Sequence, residues 1–459
     1  MKRLFTVILL FSMLSSMAAT TGLITPDAVT TSSATPVLVI GGEQGSNPSQ
    51  FDEPDSIYIS PIDGRIYAGD TTNLRVQVFE PDGTYITSFT GFTPLEDASG
   101  NEAQGIGELS DGSIVVIEKA GNLTFFDRDT GDIKHITDLS DIVSESQIDT
   151  QGLAVDSRND YIYVTNQPEN LVYVIAPNGT LVDKWSVGDF TTPENMVVDT
   201  INDRIFVSAE AKGEIYYFTM NGTFLGNFGK DESSFNFEGL ALDPLGNIIA
   251  MDEGGETDGA AYTSRFIIYN GSDLTPLYSV GDDKAGTAPG QFISPDGVAY
   301  DFLNNRVFVA DQGNFRIQAF DYIDILKTSG IYSDDVAPTV SDFANFNPTV
   351  GKLSKIRWDI TENSKFTGTY VITLNGSQVD SGHFVNGDTI EYQKVFNASS
   401  NVKITVTDAF GNSASDSVLV TIESSATTTT STSSSDTAPF PIFIVPIAIT
   451  IVVVRRKLK

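Results

Sequence analysis

One segment recurs six times in this 459-residue chain, and that recurrence limits the fold more than any other feature. Each copy has a short opening strand, a turn, a second strand ending near an acid or amide, and a third strand. The openings are Pro54-Asp55-Ser56-Ile57, Ala103-Gln104-Gly105-Ile106, Thr150-Gln151-Gly152-Leu153, Pro193-Glu194-Asn195-Met196, Phe237-Glu238-Gly239-Leu240 and Pro295-Asp296-Gly297-Val298. Their second residues lie 49, 47, 43, 44 and 58 positions apart, the spacing of propeller blades with about four short strands each. Hairpin signals fall in phase at Pro81-Asp82-Gly83, Asp129-Thr130-Gly131, Pro177-Asn178-Gly179, Met220-Asn221-Gly222 and Asn270-Gly271. Asn-Gly and Asp-Gly supply the positive φ that tight hairpins need. Long helical periodicity is absent, so the fold class is all-β, with a six-bladed β-propeller over 36–327. The sixth copy lacks a fourth strand after Ile317–Phe320, while the apolar run Pro36–Ile40 stands unused before the first copy. That run is predicted to complete blade six, closing the ring and hiding its edge.

The best copies resemble a known family. Gly290-Gln291-Phe292, Pro295-Asp296-Gly297-Val298-Ala299, Arg306–Asp311, Asn314 and Arg316–Asp321 look like an NHL repeat. Gln50-Phe51, Pro54, Arg65–Asp70, Asn73 and Arg75–Phe79 make a second good copy. Copies two to four lack the Asn-x-Arg segment. The resemblance implies propeller architecture and says little about activity, because NHL propellers include protein binders, RNA binders and a few enzymes.

Residues 335–423 read as a second unit. After the linker Asp334-Asp335-Val336-Ala337-Pro338-Thr339 come alternating strands at Ile356–Ile360, Thr369–Ile372, Val402–Val406 and Ser417–Ile422, with a late hairpin at Thr407–Asn412. Their length and spacing suit a β-sandwich, and the unit resembles the Ig-like modules of prokaryotic surface proteins. The chain has no cysteine, so disulfides and cysteine-held zinc or iron–sulfur are excluded.

Both ends read as targeting segments. Residues 1–19 look like a signal peptide: Lys2 and Arg3, the apolar run Leu4–Leu14, then Ser16-Met17-Ala18 as a small-x-small cleavage site. Ser424–Thr437 is a Ser/Thr-rich stalk. Ala438–Val454 is uncharged and mostly apolar, about 26 Å long as a helix, and reads as a transmembrane anchor despite Pro439, Pro441 and Pro446. Arg455, Arg456, Lys457 and Lys459 make 455–459 a cytoplasmic basic tail. A processed C-terminal sorting signal is the alternative for this segment. The expectation is a cell-surface, membrane-anchored protein with its bulk extracellular. Six Asn-x-Ser/Thr sequons, at Asn122, Asn178, Asn221, Asn270, Asn375 and Asn397, are then candidate glycosylation sites.

Net charge is −33, which repels phosphate backbones and argues against nucleic acid as a partner. Only two histidines occur, His135 in an outer strand of the propeller and His383 in the sandwich, so a multi-histidine metal centre or a Ser-His-acid triad is disfavoured. The sharper signal comes from aligning the copies. Equivalent innermost positions of a propeller surround one axis, so Asp55, Gln104, Gln151, Glu194, Glu238 and Asp296 should ring one mouth of the channel. Four are carboxylates (Asp55, Glu194, Glu238, Asp296), whose repulsion would raise their pKa values unless a cation such as Ca2+ sits among them. A solvated rim without a ligand is the plainer reading. A second set falls 14 or 15 residues later, at Asp70, Glu118, Asn166, Ala209, Asp252 and Asp311. It reads as structural, accepting backbone hydrogen bonds from the loop after it.

These features favour a binding module that displays a propeller face to an extracellular protein, peptide or glycan. A calcium-assisted hydrolase or lyase at the channel mouth, with Glu194 and Glu238 as bases or ligands, is the alternative. Phe237–Ala241 resembles the opening strand of some propeller esterases and phytases. A structural surface-layer component is the third reading.

Overall fold

The computed structural model describes residues 31–92, 102–145, 147–188, 192–209, 212–229, 236–254, 264–282 and 285–422. The signal peptide (1–19), stalk (424–437), anchor (438–454) and basic tail (455–459) read from the sequence lie outside the described residues.

The short alternating runs form six antiparallel sheets in succession. Blade one comprises Pro54–Ile59, Ile66–Asp70, Arg75–Phe79 and Tyr85–Phe89, paired in that order. Blades two to four repeat the order, opening at Ala103–Glu108, Thr150–Asp156 and Pro193–Asp199. Blade five opens at Phe237–Leu242 and gains a fifth strand that no sequence pattern signalled, Thr31–Ser32, parallel to Pro276–Asp282. Blade six consists of Pro295–Asp301, Arg306–Asp311, Arg316–Asp321 and the N-terminal strand Leu38–Gly41, which pairs antiparallel with Arg316–Ala319. The opening strands contact one another all the way round, blade six meeting blade one, so the sheets close into a six-bladed propeller. Second strands are buried along their whole length, as in Ile66–Asp70 and Ser113–Glu118, or at all but their first residue, as in Arg306–Asp311, because each is covered by a neighbouring blade on both faces.

Each opening strand carries a bulge at its start. Pairing slips between Pro54 and Ile57, Ala103 and Gly105, Thr150 and Leu153, Pro193 and Met196, Phe237 and Leu240, and Pro295 and Val298. The bulge brings the backbones of adjacent blades together, and four blades place glycine there. A Cβ on Gly152 would lie 2.6 Å from Glu194 O, one on Gly239 2.6 Å from Asp296 O, and one on Gly297 2.4 Å from Asp55 O. Blade one uses Ser56 instead, whose Oγ donates to Ala103 O at 2.6 Å.

Beyond blade six, Asp321 caps a helix, Tyr322–Ser329, that ends on Gly330 in the left-handed region (φ 73°). No periodicity in the sequence pointed to this helix. Its Tyr322 hydroxyl donates to Asp243 Oδ2 at 2.8 Å, and Tyr322, Ile323, Ile325 and Leu326 share one core with Phe366 and Phe410 of the second unit. That unit has two facing sheets. One is Thr339–Val340, Leu353–Thr361 and Thr389–Val395; the other is Ser377–Phe384, Gly368–Leu374, Ser400–Thr407 and Ser413–Val420, in that spatial order. Trp358, Ile372, Val402, Ile404, Val406 and Val418 fill the space between them.

The longest described helix has eight residues, against about 20 for a membrane span, and no helix among the described residues is long and apolar enough to cross a membrane. The expectation of a membrane-anchored surface protein is corrected on this finding.

Ile40 is buried between blades six and one together with Phe51, Ala68, Phe79 and Ile317. Ile40→Ala should cost about 2–4 kcal/mol in denaturant unfolding if the N-terminal strand closes the ring. A variant of unchanged midpoint would show that this strand adds nothing to the propeller.

Candidate functional site

The bulges carry the aligned residues to the axis. Asp55, Gln104, Gln151, Glu194, Glu238 and Asp296 all line one cavity of about 140 Å³, together with Glu102, Lys119 and Asn195. A bulge re-aims a side chain and ends regular pairing, and here six of them turn one side chain each toward a common space. With five carboxylates and one lysine, the lining carries a formal charge of −4 when all are ionised.

Besides Asn195, three residues that the alignment of the copies did not single out belong to this mouth. Lys119 Nζ pairs with Glu102 Oε2 at 3.0 Å, and Gln104 Nε2 donates to the same oxygen at 2.7 Å. Gln167 donates to Glu194. Lys119 and Gln167 each sit one residue past the second set of aligned positions, after Glu118 and Asn166. Shifting that alignment by one would have found this outer tier.

Crowding shapes the protonation of the ring. Burial pushes the Asp55 carboxyl up to about 7, with Glu102 adding to the rise and Lys119 and Gln104 opposing it. Asp296 is raised well above the usual carboxylate range by burial and then by Asp55, Glu238, Glu194 and Glu253. Burial disfavours charge on Lys119, but Glu102, Asp149 and Asp55 more than offset it and raise its pKa. The four carboxylates expected to share a calcium ion do not converge as a chelate: among the described residues no three of them bring ligand oxygens within 4.8 Å of one another. The arrangement is an acidic mouth that encloses about 140 Å³.

The second aligned set has a different task. Asp70 accepts from Asp52 N (2.8 Å), Asn73 Nδ2 (2.9 Å), Arg75 Nε (2.6 Å) and Gln77 Nε2 (3.0 Å). Asp311 repeats this with Ile293 N (2.8 Å), Asn314 Nδ2 (3.0 Å), Arg316 Nε (2.7 Å) and Gln318 Nε2 (3.0 Å). Asn166 accepts from Asp149 N at 2.9 Å and Asp252 from Asn236 N at 3.3 Å. Glu118 accepts from Thr124 Oγ1 at 2.6 Å, and Ala209 has no side-chain acceptor to offer. The backbone donors to Asp70, Asp311 and Asn166 come from the loop before each blade, whereas Asp252 also accepts from Gly254 N at 3.2 Å, in the loop after the second strand as expected. The second strand ends beside the start of the first, so its carboxylate reaches back across that strand.

Elsewhere, His135 stacks on Phe125 with ring centroids 3.9 Å apart, and burial lowers its pKa. His383 lies in the sandwich, also lowered by burial. Neither histidine lines the axial mouth. Of the sequons, Asn178, Asn221, Asn375 and Asn397 are exposed, while Asn122 and Asn270 are half-buried.

Two measurements check this picture. Asp55 holds its proton in the folded state up to about pH 7 and in the unfolded chain only to about pH 4. The native state therefore binds more protons between those values, and the contribution of Asp55 to stability is full below about pH 4 and lost as pH rises to about 7. In chelator, Asp55→Asn should gain thermal stability relative to wild type as pH is raised from 5 to 8; a constant difference would refute the shift. Arg316→Ala would leave the buried Asp311 carboxylate without its cation and deprive three carbonyls, at Thr287, Ala288 and Gln291, of their donor. It should cost about 3–5 kcal/mol in denaturant unfolding.

No protein-family model matches the chain, and no curated protein does. Among solved structures, it is similar to a streptogramin B lyase (13% identity, TM-score 0.44, covering 61% of this chain and 96% of that one). A virginiamycin B lyase from Staphylococcus aureus is similar at 14% identity and TM-score 0.42, over 60% of this chain and 98% of that one. An auxiliary nutrient binding protein from Bacteroides ovatus is similar at 15% identity and TM-score 0.47, over 63% of this chain and 76% of that one. These are distant likenesses in fold, and they say nothing of the chemistry of this chain.

Proposed function

We propose that this protein is a binding module whose axial mouth receives a positively charged group, an ammonium or guanidinium, presented by a peptide or protein. The observation that carries the reading is the cavity of about 140 Å³ in which Asp55, Glu102, Glu194, Glu238 and Asp296 face a single lysine. A cationic side chain entering it would meet carboxylates in a confined space where their attraction is only partly screened. Gln104, Gln151 and Asn195 add neutral acceptors around the same space. The second unit, resembling an Ig-like module, would serve as a spacer beside the propeller. Exposed Asn178, Asn221, Asn375 and Asn397 are the sequons best placed for glycans on such a module.

Asp55, with its pKa near 7, also favours a second reading, an acid–base hydrolase or lyase at the same mouth. A carboxyl that exchanges its proton near neutral pH is what such chemistry uses, and the nearby Asp296 would let one proton be shared. Turnover that is lost in Asp55→Asn, with peptide binding unchanged, would favour this second reading.

Calorimetric titration with arginine-containing, acidic and neutral peptides of equal length tests the first. Basic peptides should bind, more weakly as salt is raised, and release protons as they depress the raised carboxyls. Glu194→Gln/Glu238→Gln should weaken that binding by about tenfold, the scale of one to two charge-assisted contacts. Equal binding of acidic and basic peptides would sink the proposal.

A further inference from the structure

Three carboxylates meet away from the propeller axis, where the linker joins the second unit. Asp334 lies in the linker after the helix Tyr322–Ser329, Glu362 follows the strand Leu353–Thr361, and Asp408 follows the strand Ser400–Thr407. Oxygens from all three lie within 4.8 Å of one another. That is about twice a calcium–oxygen bond, so one ion can touch all of them. Glu362 is 3% exposed and Asp408 4% exposed, and Asp334 is half-buried.

The hydrogen bonds at this junction leave a gap that points to a ligand. Asp408 Oδ1 accepts from Phe410 N and Asn412 N, and its Oδ2 from Asn412 Nδ2 at 2.8 Å. Asp334 accepts from Val336 N and Asn363 Nδ2, each at 2.9 Å. Glu362 Oε1 accepts from Ser364 N at 2.8 Å, but Glu362 Oε2 has no partner, and neither does Ser364 Oγ, although Ser364 is only 3% exposed. Buried carboxylate oxygens without a donor are costly and rare. Among the described residues no lysine or arginine forms an ion pair with any of the three; Lys327 Nζ donates to Phe410 O instead. The donor atoms are all oxygen, which selects a hard cation over zinc.

We propose that Asp334, Glu362 and Asp408 bind a divalent cation of the calcium class, with Ser364 Oγ as a neutral ligand beside Glu362. The ion fastens the linker to the two loops at the end of the sandwich that meets the propeller. At that end Thr367 Oγ1 donates to Phe302 O, Asn305 Nδ2 donates to Thr367 O at 2.9 Å, and Phe366 and Phe410 enter the shared core. Fixing Asp334 there shortens the free linker and holds one orientation of sandwich to propeller. Asn412 Nδ2, bonded to both Asp334 O and Asp408 Oδ2, preorganises the site.

Terbium, an oxygen-seeking calcium substitute, provides the probe, excited through tyrosine. Tyr332 is suitably placed: it lies two residues before Asp334, and its ring packs on Phe366 and Phe410, which follow Glu362 and Asp408, with centroids 5.7 and 5.3 Å apart. On the full chain, tyrosine-sensitised terbium emission should appear and be displaced by calcium. Glu362→Gln should weaken terbium affinity by about tenfold or more, as loss of one of three charged ligands implies, and Tyr332→Phe should dim the emission. Glu194→Gln/Glu238→Gln at the axial mouth should leave this affinity unchanged. Calcium should also slow proteolysis within 331–338 in wild type and not in Glu362→Gln. If Glu362→Gln does not fold, Asp334→Asn takes its place, since its side chain is on the linker. Terbium affinity and linker protection that survive the substitution would overturn the proposal, as would absence of both in wild type.

Discussion

A buried aspartate at the end of the second strand ties each well-formed blade together. In blades one and six, Asp70 and Asp311 each gather a backbone N–H from the loop before the blade, an asparagine, an arginine and a glutamine. The arginine continues outward to three carbonyls of the same loop: Ser46, Asn47 and Gln50 for Arg75, and Thr287, Ala288 and Gln291 for Arg316. The Asn-x-Arg-x-Gln pattern of the repeat is thus one polar network that satisfies a loop whose backbone would otherwise be buried without partners. Burial raises the pKa of both aspartates even with these donors in place, and without the donors the ionised carboxylates would be costlier still.

The two blades with the full network are those on either side of the closure. Blade six is completed by Leu38–Gly41, and Ile40 packs into the core it shares with blade one. The seam of a closed ring is where the chain has no covalent continuity between neighbouring strands, so it relies most on side chains. Blade three, which lacks the Asn-x-Arg segment, places Asn166 at the equivalent site, bonded to Asp149 N and Tyr173 Oη, a neutral solution to the same demand.

With loops and seam fixed, the bulged openings can hold charges close together. Ser56, Thr165 and Ser208 donate to carbonyls of the next blade at Ala103, Glu194 and Glu238, so the backbone beneath the ring is stitched between blades. The carboxylates above it are therefore held at a spacing they would not choose in solution, and Asp55 and Asp296 respond by retaining protons.

The number of blades, the strand that closes them and the six residues at the axis are all legible in the chain's own repetition. Repetition makes this legible: residues at equivalent positions of equivalent blades must surround one axis, so an alignment of the chain with itself is already a three-dimensional statement. The sandwich strands were legible for a different reason, since their alternation matches burial between two sheets, as along Leu353–Thr361. Outside the repeat, long-range packing sets the arrangement. Thr31–Ser32 joins blade five, and the helix Tyr322–Ser329 is buried against Asp243 and the second unit. Asp334, Glu362 and Asp408 come from a linker and two loops separated by 28 and 46 positions, with no period to relate them. Their meeting depends on how the linker lies against two loops of the sandwich, where Asn363 and Asn412 bond Asp334, a property of non-local packing that no local pattern of residues encodes.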